Sequence, residues 1–412
     1  MNRLARVKVL LVGSGGREHA LAWKLSQSTE LEELHAAPGN PGIAQLGPCH
    51  PVRPEDAEGL LGLCRQHEID LAVIGPEVPL VAGVADHLRH AGVVVFGPSA
   101  AAARIEGSKS FAKEVMYSAG VPTAKPLAIA RPPCVVKADG LAAGKGVFVC
   151  RTQKELDAGL RAASAHGTQI VIEELVEGEE VSIFALAAGR AAFALAPAQD
   201  FKRVGNDDTG PNTGGMGSYS PVPGLGPSEI EELLETIHRP MLAELAERGT
   251  PFLGLLYAGL MLTDAGPCVL EFNCRFGDPE TQSILPRLEG DLLAALASVA
   301  AGELDGVELT ARDEAAVTVV LAAREYPERN DAGTPIEGVA AAEAADALVF
   351  HAGTARQGDR LVTSGGRILN VSAVGQTVAD ARARAYAAVE LISFAGMRYR
   401  TDIAAKAEHV RA

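Results

Sequence analysis

The sequence predicts a multidomain protein of mixed α/β and α+β class, and three observations support this prediction. Four short apolar runs in the first part of the chain alternate with helical stretches, which is typical of a parallel sheet covered on both faces. A glycine-rich segment lies between two β-branched runs, as in a hairpin that covers an anion. A later predicted strand ends in three closely spaced polar side chains. The length of 412 residues allows about two to four domains.

The N-terminal region is predicted to be a Rossmann-like domain. Its strands are expected at residues 7–12, 33–37, 71–74 and 93–96. Gly13-Ser-Gly15 resembles a dinucleotide fingerprint, but Glu18 occupies the third glycine position and no acidic residue closes the second strand. We therefore predict a bound monophosphate at the N-terminus of the helix that begins near Arg17, held by the backbone of Gly13, Gly15 and Gly16.

Glu77 follows the third strand of this region. Ligands of open α/β sheets bind at the carboxyl ends of the strands, so its carboxylate is a candidate acceptor for ribose hydroxyls. A helix cap or a turn carboxylate is an equally good interpretation of this residue. The sequence leaves both readings of Glu77 open.

The glycine-rich segment runs from Lys137 to Gly146. Gly140, Gly144 and Gly146 allow the backbone N–H groups to turn towards an anion, and Lys137 and Lys145 would add positive charge near phosphate oxygens. The spacing excludes a Walker A loop, because the segment is one residue too short and Gly146 stands where a hydroxyl would bind Mg²⁺. The pattern predicts a phosphate-covering hairpin; an ordinary hairpin with solvated lysines is the alternative.

The string Glu271-Phe-Asn-Cys-Arg275 ends a predicted strand, which a turn at residues 263–266 joins to the preceding apolar run. Glu271, Asn273 and Arg275 alternate onto one face of that strand. Carboxylate and amide oxygens suit Mg²⁺, and a guanidinium can clamp a phosphoryl group or a substrate carboxylate. The alternative is a surface strand with a local Glu-Arg ion pair.

Composition and charge exclude several function classes. A net charge of -15 argues against a nucleic-acid-binding protein, which needs a basic face. The six cysteines form no C-x-x-C pair, so free thiols are expected, and the ten histidines form no H-E-x-x-H motif, so His87 and His90 are expected on a solvated helix face rather than in a zinc site. No apolar run reaches the length of a membrane span, and a cytoplasmic protein is predicted.

The order of these parts resembles the ATP-grasp superfamily, and the particular strings resemble its phosphoribosylamine-glycine ligase (glycinamide ribonucleotide synthetase) family. The matching strings are residues 12–20, 37–40, 75–77, 106–109, 137–147, 199–203, 208–217, 271–281 and 351–354. Two positions depart from the family pattern: Phe201 stands where a histidine is expected, and Arg324-Glu325 stands where a glycine pair is common. We expect neither departure to touch the chemistry.

The resemblance implies an enzyme of purine synthesis that joins glycine to 5-phosphoribosylamine through glycyl phosphate, with ATP and with Mg²⁺ or Mn²⁺. Arg275 and Lys137 are then expected to be catalytic, and Glu271 and Asn273 to hold the metal, with no second carboxylate at residues 258–259 of the neighbouring strand. The expected ATP contacts are Lys109, Lys137, Gly144, Lys145, Gly146, Glu173, Glu174, Val176 and Glu180. The expected contacts of glycine and phosphoribosylamine are Gly13, Gly15, Gly16, Asn40, Glu77, Lys202, Asn212, Thr213, Arg275 and Asp278.

Pattern and resemblance together divide the chain into four parts. These are an N-terminal substrate-phosphate domain at 1–103, an ATP-grasp central domain at 104–122 and 188–313, a lid subdomain at 123–187 and a C-terminal domain at 314–412. The lid is expected to contain a helix at 152–164 and a strand at 170–176, and the C-terminal domain strands at 317–322, 347–351 and 367–374 before a helix at 378–392. The C-terminal domain carries no acid-base or metal constellation of its own.

The glycine-rich stretch 205–217 is expected to shape the acceptor site, because a long loop in a compact domain is usually functional or disordered. Small-molecule substrates are the expected partners, with no nucleic acid and no membrane, and a monomer or weak homodimer is expected. Three alternatives stay open. They are another ATP-grasp ligase or carboxylase, an NAD-dependent dehydrogenase, and a noncatalytic nucleotide sensor.

Overall fold

The computed structural model describes residues 6–141, 146–165 and 169–409, and it confirms the mixed α/β and α+β class. The strands are β1 (Val7–Gly13), β2 (Leu31–Pro38), β3 (Leu71–Ile74), β4 (Val94–Phe96), β5 (Cys134–Ala138), β6 (Val147–Cys150), β7 (Ile170–Glu174), β8 (Glu179–Gly189), β9 (Ala191–Ala194), β10 (Gln199–Asp200), β11 (Arg203–Gly205), β12 (Thr209–Asn212), β13 (Gly217–Ser220), β14 (Phe252–Thr263), β15 (Gly266–Asn273), β16 (Leu288–Glu289), β17 (Thr310–Ala311), β18 (Ala315–Ala322), β19 (Asp331–Pro335), β20 (Leu348–His351), β21 (Thr354–Gln357), β22 (Arg360–Gly365) and β23 (Arg367–Gly375). The helices are α1 (Gly16–Leu25), α2 (Ala57–Gln66), α3 (Glu77–Val81), α4 (Val84–His90), α5 (Ala100–Gly107), α6 (Lys109–Ser118), α7 (Gln153–Ser164), α8 (Pro227–Leu233), α9 (Arg239–Glu247), α10 (Thr281–Ile284), α11 (Leu292–Ala300), α12 (Val339–Ala344) and α13 (Val378–Val389).

The N-terminal sheet is parallel, with strand order β2-β1-β3-β4. All four predicted strands are present, with small shifts at their ends. Leu10 and Val12 pack into one apolar core with Leu60 of α2, whereas Leu11 packs into another with Leu21 of α1. Burial on both faces explains why these strands are continuous apolar runs rather than alternating ones.

The lid sheet is antiparallel, with order β6-β5-β7, and α7 covers it. The predicted helix is confirmed, with Thr152 as its N-cap accepting the N–H of Glu155 at 3.3 Å. The hairpin between β5 and β6 carries the glycine-rich segment, and Gly140 there has a φ of 106°. The predicted nucleotide contacts Gly144 and Lys145 lie outside the described residues.

The central sheet is antiparallel, with order β15-β14-β8-β9. The predicted hairpin between β14 and β15 is present, and its register places Gly259 opposite Glu271 and Tyr257 opposite Asn273. Side chains of α9 and of α11 belong to the two different cores on its two faces. The strand β8 lies largely within the stretch predicted as the lid, yet it pairs along its whole length with β14.

The C-terminal sheet is antiparallel, with order β10-β13-β18-β23-β20, and α13 packs on one face. The two strands β10 and β13 come from the stretch predicted as central domain, and Ser218 of β13 pairs with Thr318 of β18. The helix predicted to run to residue 392 ends at Val389. Within the described ranges, no helix is long and apolar enough to cross a membrane.

Candidate active site

A cavity of about 1160 Å³ lies between the lid sheet, the central sheet and the C-terminal sheet. Single ligands usually occupy about 300–1,000 Å³, so this cavity has room for more than one substrate. The predicted site residues on its wall are Glu77, Lys109, Lys137, Glu173, Glu174, Val176, Glu180, Lys202, Asn212, Thr213, Glu271, Asn273, Arg275 and Asp278. The predicted residues that do not line it are Gly13, Gly15, Gly16, Asn40 and Gly146.

Glu271 and Asn273 are the oxygen donors of the cavity wall that lack a protein partner. Within the described part of the chain, neither side chain makes a hydrogen bond or an ion pair. Burial disfavours the charged form of Glu271, but Lys202, Lys137 and nearby cations outweigh it and lower the pKa of its carboxyl. A Cβ at the facing Gly259 would lie 3.4 Å from Glu271 Cγ, so the glycine leaves room beside the carboxylate. A free carboxylate and a free amide on one strand face fit a hard divalent cation.

Lysines gather on the side of the cavity that faces the lid sheet. Lys137 Nζ lies 2.8 Å from Glu173 and donates to the carbonyl of Leu270 at 3.0 Å, and the other oxygen of Glu173 lies 3.0 Å from Lys113. The carboxylate of Glu173 therefore holds two lysines in place. Burial lowers the pKa of Lys113, and Glu173 opposes that shift.

Lys109 ties the glycine-rich hairpin to α6. Its Nζ donates to the carbonyl of Gly140 at 2.9 Å, and its backbone N–H donates to Asp139 at 2.6 Å. Burial lowers the pKa of Lys109, while the carboxylate of Glu271 raises it. The ammonium group of Lys109 therefore interacts electrostatically with the carboxylate of Glu271.

Arg275 is paired with two carboxylates and a backbone carbonyl. Its Nε donates to Glu77 at 3.2 Å, its Nη2 lies 3.0 Å from Glu106, and its Nη1 donates to the carbonyl of Phe276 at 3.1 Å. Burial opposes ionisation of Glu77, but Arg275 and Arg17 outweigh it and lower the pKa to about 2. Burial raises the pKa of Glu106, with Arg275 opposing.

Lys202 joins two elements of the wall. Its Nζ lies 2.9 Å from Asp200 and 3.0 Å from Glu180. Burial disfavours its charge, but Asp200 and Glu180 outweigh that effect and raise the pKa of Lys202 well above its usual range. Burial raises the pKa of Glu180, although Lys202 opposes the shift.

Glu280 is a buried carboxyl on the same wall. It accepts a hydrogen bond from Ser182 at 3.4 Å, and the hydroxyls of Ser182 and Tyr257 lie 2.9 Å apart. Burial and the charge of Asp200 raise the pKa of Glu280 to about 7, against the opposing effect of Lys202. This carboxyl exchanges its proton in the physiological range.

Arg367 is a charge that the C-terminal sheet contributes to the wall. Arg367, at the start of β23, lies 3.1 Å from the carboxylate of Asp278 and donates to the carbonyls of Gly214 and Asp278 at 2.5 and 2.8 Å. Thr213 is held next to it by a hydrogen bond to the carbonyl of Lys202 at 2.9 Å. Asn212 donates to the carbonyl of Val147 at 3.5 Å, so the predicted acceptor loop contacts the lid sheet.

Comparison with known proteins gives three adjacent family matches. The N domain of phosphoribosylglycinamide synthetase matches residues 7–106, its ATP-grasp (A) domain residues 107–281, and its C domain residues 316–406. A phosphoribosylamine-glycine ligase of Rhizobium meliloti is 49% identical over 414 residues, covering 96% of this chain and 98% of the relative. The chain belongs to the phosphoribosylglycinamide synthetase family.

Other relatives agree with this membership. A phosphoribosylamine-glycine ligase of Streptomyces coelicolor is 49% identical, covering 97% of this chain and 99% of the relative. The crystal structure of the Thermotoga maritima phosphoribosylamine-glycine ligase superposes with a TM-score of 0.81 at 34% identity. The match covers 96% of this chain and 100% of that chain. A biotin carboxylase domain from Hydrogenobacter thermophilus, solved with MgADP, shares the fold with a TM-score of 0.70 at 16% identity and covers 98% of each chain.

The glycine loop at residues 13–16 is in contact with other side chains of the protein. The carboxylate of Glu18 accepts the N–H of Gly15 at 2.6 Å, and a Cβ on Gly16 would collide with Asn370 of β23. The side chain of Asn40 donates to the carbonyls of Ser14 and His351. These residues brace the loop against the C-terminal sheet, immediately behind Asp278, rather than lining the cavity.

Several wall residues were missed from the sequence. Glu106, Asp200 and Glu280 lie in the strings that resemble the family, so the strings contained a signal for them. Lys113 and Arg367 have no local signal, because their partners Glu173 and Asp278 lie far along the chain. Phe201 lines the cavity, and the expectation that its departure from the family pattern leaves the chemistry unaffected stays a prediction.

Proposed function

We propose that this chain is an ATP-dependent ligase that joins glycine to 5-phosphoribosylamine. The products are glycinamide ribonucleotide, ADP and phosphate, and the reaction belongs to purine biosynthesis. The observation that carries the proposal is one cavity in which the unpartnered oxygens of Glu271 and Asn273 face the lysines beside the glycine hairpin. Family membership supports the same reaction.

ATP lies between the lid sheet and the central sheet in this proposal. The strand end at Glu174 to Val176 borders the adenine, and Lys109 and Lys137 contact the phosphates. Glu173 stabilises Lys137 in position by an ion pair of 2.8 Å. Glu271 and Asn273 would hold Mg²⁺, which would neutralise phosphate charge. Mn²⁺ also prefers oxygen ligands, and we propose that the same two residues would hold it in place of Mg²⁺.

Arg275 orients the glycine carboxylate towards the terminal phosphorus. Its guanidinium has five N–H donors, and Glu77, Glu106 and the carbonyl of Phe276 fix it while leaving donors for a substrate. The carboxylate attacks the γ-phosphorus, the bond from that phosphorus to the β-phosphate bridging oxygen breaks, and glycyl phosphate and ADP result. No nucleophilic side chain takes part.

Phosphoribosylamine occupies the end of the cavity formed by Lys202, Asp278 and Arg367, with the loop at Gly13, Gly15 and Gly16 behind it. Its amine attacks the glycyl carbonyl carbon, and phosphate leaves with the oxygen that bridged carbon and phosphorus. An acyl phosphate hydrolyses in water, so closure of the lid sheet over the cavity protects it. The contact from Asn212 to Val147 links acceptor loop and lid.

The mechanism is tested by following oxygen. Glycine labelled with ¹⁸O in its carboxylate is incubated with ATP, Mg²⁺ and freshly generated phosphoribosylamine, and the inorganic phosphate is analysed by mass spectrometry. One labelled oxygen per turnover is expected in phosphate, and ADP rather than AMP is expected among the products. AMP with pyrophosphate, or unlabelled phosphate, would overturn the glycyl-phosphate mechanism.

The division at 1–103, 104–122 with 188–313, 123–187 and 314–412 remains a proposal, as does a monomer or weak homodimer. The six cysteines are free thiols, which supports a reducing compartment such as the cytoplasm. The arrangement of the N-terminal glycine loop does not favour the dehydrogenase alternative, because the Gly15 N–H that would face a pyrophosphate is bonded to Glu18.

A further inference from the structure

Three histidines meet in the N-terminal region, outside the cavity. His35 lies on the edge strand β2, His50 lies in the following loop, and His67 is the C-cap residue of α2. Each offers a ring nitrogen, and these nitrogens all lie within 4.8 Å of one another. None of the three lines the cavity. The sequence contains no spacing motif for them, because three separate segments supply the three rings.

The rings of His35 and His50 are stacked, and the ring of His67 is tilted against both. His35 Nδ1 lies 3.0 Å from His50 Nε2, and the ring centroids of His35 and His67 are 4.4 Å apart. The second nitrogen of His35 lies 3.0 Å from the carboxylate of Glu33. A histidine that binds a metal usually donates its other N–H to a carboxylate in this way. The Nε2 atom of His67 is buried and has no hydrogen-bond partner.

The surrounding charge favours a cation. Lys8 Nζ lies 3.9 Å from Glu33 and 3.8 Å from Glu68, so two carboxylates and one ammonium border the cluster. Burial, together with His67 and His35, lowers the pKa of His50 and favours the neutral imidazole that ligates metals. Three converging imidazoles beside two carboxylates and one ammonium are a donor set for a late first-row divalent cation.

We propose that His35, His50 and His67 bind one divalent cation of the Zn²⁺ type. With metal-nitrogen distances of about 2.0–2.1 Å, tetrahedral ligand nitrogens lie roughly 3.3 Å apart, so the contact between His35 and His50 opens only slightly. Water completes the coordination, and Glu33 orients His35 from behind. The ion cross-links β2, the loop after it and the end of α2. It stabilises the N-terminal sheet and takes no part in the ligase reaction.

The test uses the full chain, freed of metal by chelation and held in excess Mg²⁺ so that oxygen-donor sites are filled. Titration with ZnCl₂ in a calorimeter is expected to show one bound Zn²⁺ per chain. His67→Gln and His50→Gln are each expected to weaken binding at least about tenfold, and Glu33→Gln by roughly 10-fold or less. The matched control His90→Gln, at an exposed position of α4, is expected to bind as the unaltered chain does.

A second measurement does not depend on the variants folding. In the unaltered chain, one equivalent of Zn²⁺ is expected to shift the ring-nitrogen NMR signals of three histidines and to leave the others unchanged. Binding is expected to weaken strongly from about pH 7.5 to about pH 5.5, because protons compete for the imidazoles. Zinc binding that is absent, or that survives in His67→Gln and His50→Gln, would show a metal-free hydrogen-bonded cluster and overturn the proposal.

Discussion

The end of β15 places two opposite kinds of polar group within five residues of one another. Glu271 and Asn273 have no protein partner in the described structure, whereas Arg275 is held by Glu77, Glu106 and a backbone carbonyl. In the proposed function, a divalent cation and the phosphates of ATP would complete the coordination of these oxygens. The guanidinium is held by three protein contacts and keeps N–H donors that, in the proposed function, bind the glycine carboxylate in one orientation. Glu271 and Asn273 thus have side chains without a protein contact in the described structure, whereas the side chain of Arg275 is positioned by protein contacts.

The two kinds of group also differ in how their charge is maintained. Lysines at some distance, without a direct contact, keep Glu271 ionised against the effect of burial. Glu77 is kept ionised by contact with Arg275. Removing a free oxygen should therefore affect catalysis and leave the fold intact, whereas changing the paired guanidinium should also disturb its buried partners.

The largest effect is expected for Glu271→Gln. Loss of a direct metal charge should cost several kcal/mol in the transition state, so turnover should fall by about a thousandfold or more. Circular dichroism and thermal melting should remain close to those of the unaltered chain, because no protein partner loses a bond. The measurement is the rate of ADP formation against Mg²⁺ concentration.

Asp264→Asn serves as the matched control, since this exposed carboxylate lies in the turn of the same hairpin. It should leave turnover and Mg²⁺ dependence unchanged. If Glu271→Gln behaved like this control, the assignment of the metal ligand would be wrong and the contrast on β15 would disappear.

A smaller effect is expected for Arg275→Lys. A lysine keeps the charge but lacks the planar fork of donors that contacts Glu77, Glu106 and a substrate carboxylate together, so a loss of about 100-fold in kcat/KM for glycine is expected. The melting temperature should also fall, because Glu106 is left buried with its pairing incomplete. The same exchange at Arg190, which pairs with Glu247 on the surface, should change neither quantity. A loss of activity without any loss of stability would contradict the idea that this charge is positioned by its partners.

Glu280→Gln tests the buried carboxyl through pH, with an expected effect on the order of 2 kcal/mol on stability. Folding raises the pKa of Glu280 from its ordinary value near 4.5 to about 7, so the native state favours the protonated form. The contribution of this group to stability is complete below about pH 4.5 and is lost as pH rises through about 7. The melting temperature of Glu280→Gln relative to the unaltered chain should therefore rise between these two pH values. A difference that does not vary with pH would refute the raised pKa.

The sequence was sufficient for elements whose cause is local. Residues 71–74 are a continuous apolar run because the strand is buried on both faces, and Gly140 of the β5–β6 hairpin has a φ of 106°, which favours glycine. The alternation of Glu271 and Asn273 followed directly from strand geometry. These features depend on neighbours in the sequence, so they could be predicted.

Features caused by distant contacts could not be predicted in this way. Strand β13 joins the C-terminal sheet because it pairs with β18, about a hundred residues later along the chain. Arg367 reaches the cavity through Asp278, and the histidine cluster brings together three segments. The phosphate role assigned to Gly15 rested on a helix N-terminus alone, and Glu18 occupies its N–H. That assignment remains a prediction, and the substitution that tests it, Gly15→Val, is expected to have the smallest effect on activity.

Gly15→Val asks whether the acceptor end of the cavity depends on this loop. Gly15 has a φ of -81°, which a valine adopts without strain, so any effect comes from contacts rather than from the backbone. An added Cβ would lie 2.8 Å from Glu18 Oε2 and 3.4 Å from Asp278 Oδ2. The side chain would displace Glu18 and press on the carboxylate that pairs with Arg367. The KM for phosphoribosylamine should rise about tenfold, while the KM for ATP should change by less than about twofold, since one well-placed contact contributes about 1.4 kcal/mol.

Gly62→Val, at an exposed helix position with open space around it, is the matched control and should change neither constant. An equal rise in both constants would mean that the loop supports the fold as a whole, and the acceptor end would then be defined by Lys202, Asp278 and Arg367 alone.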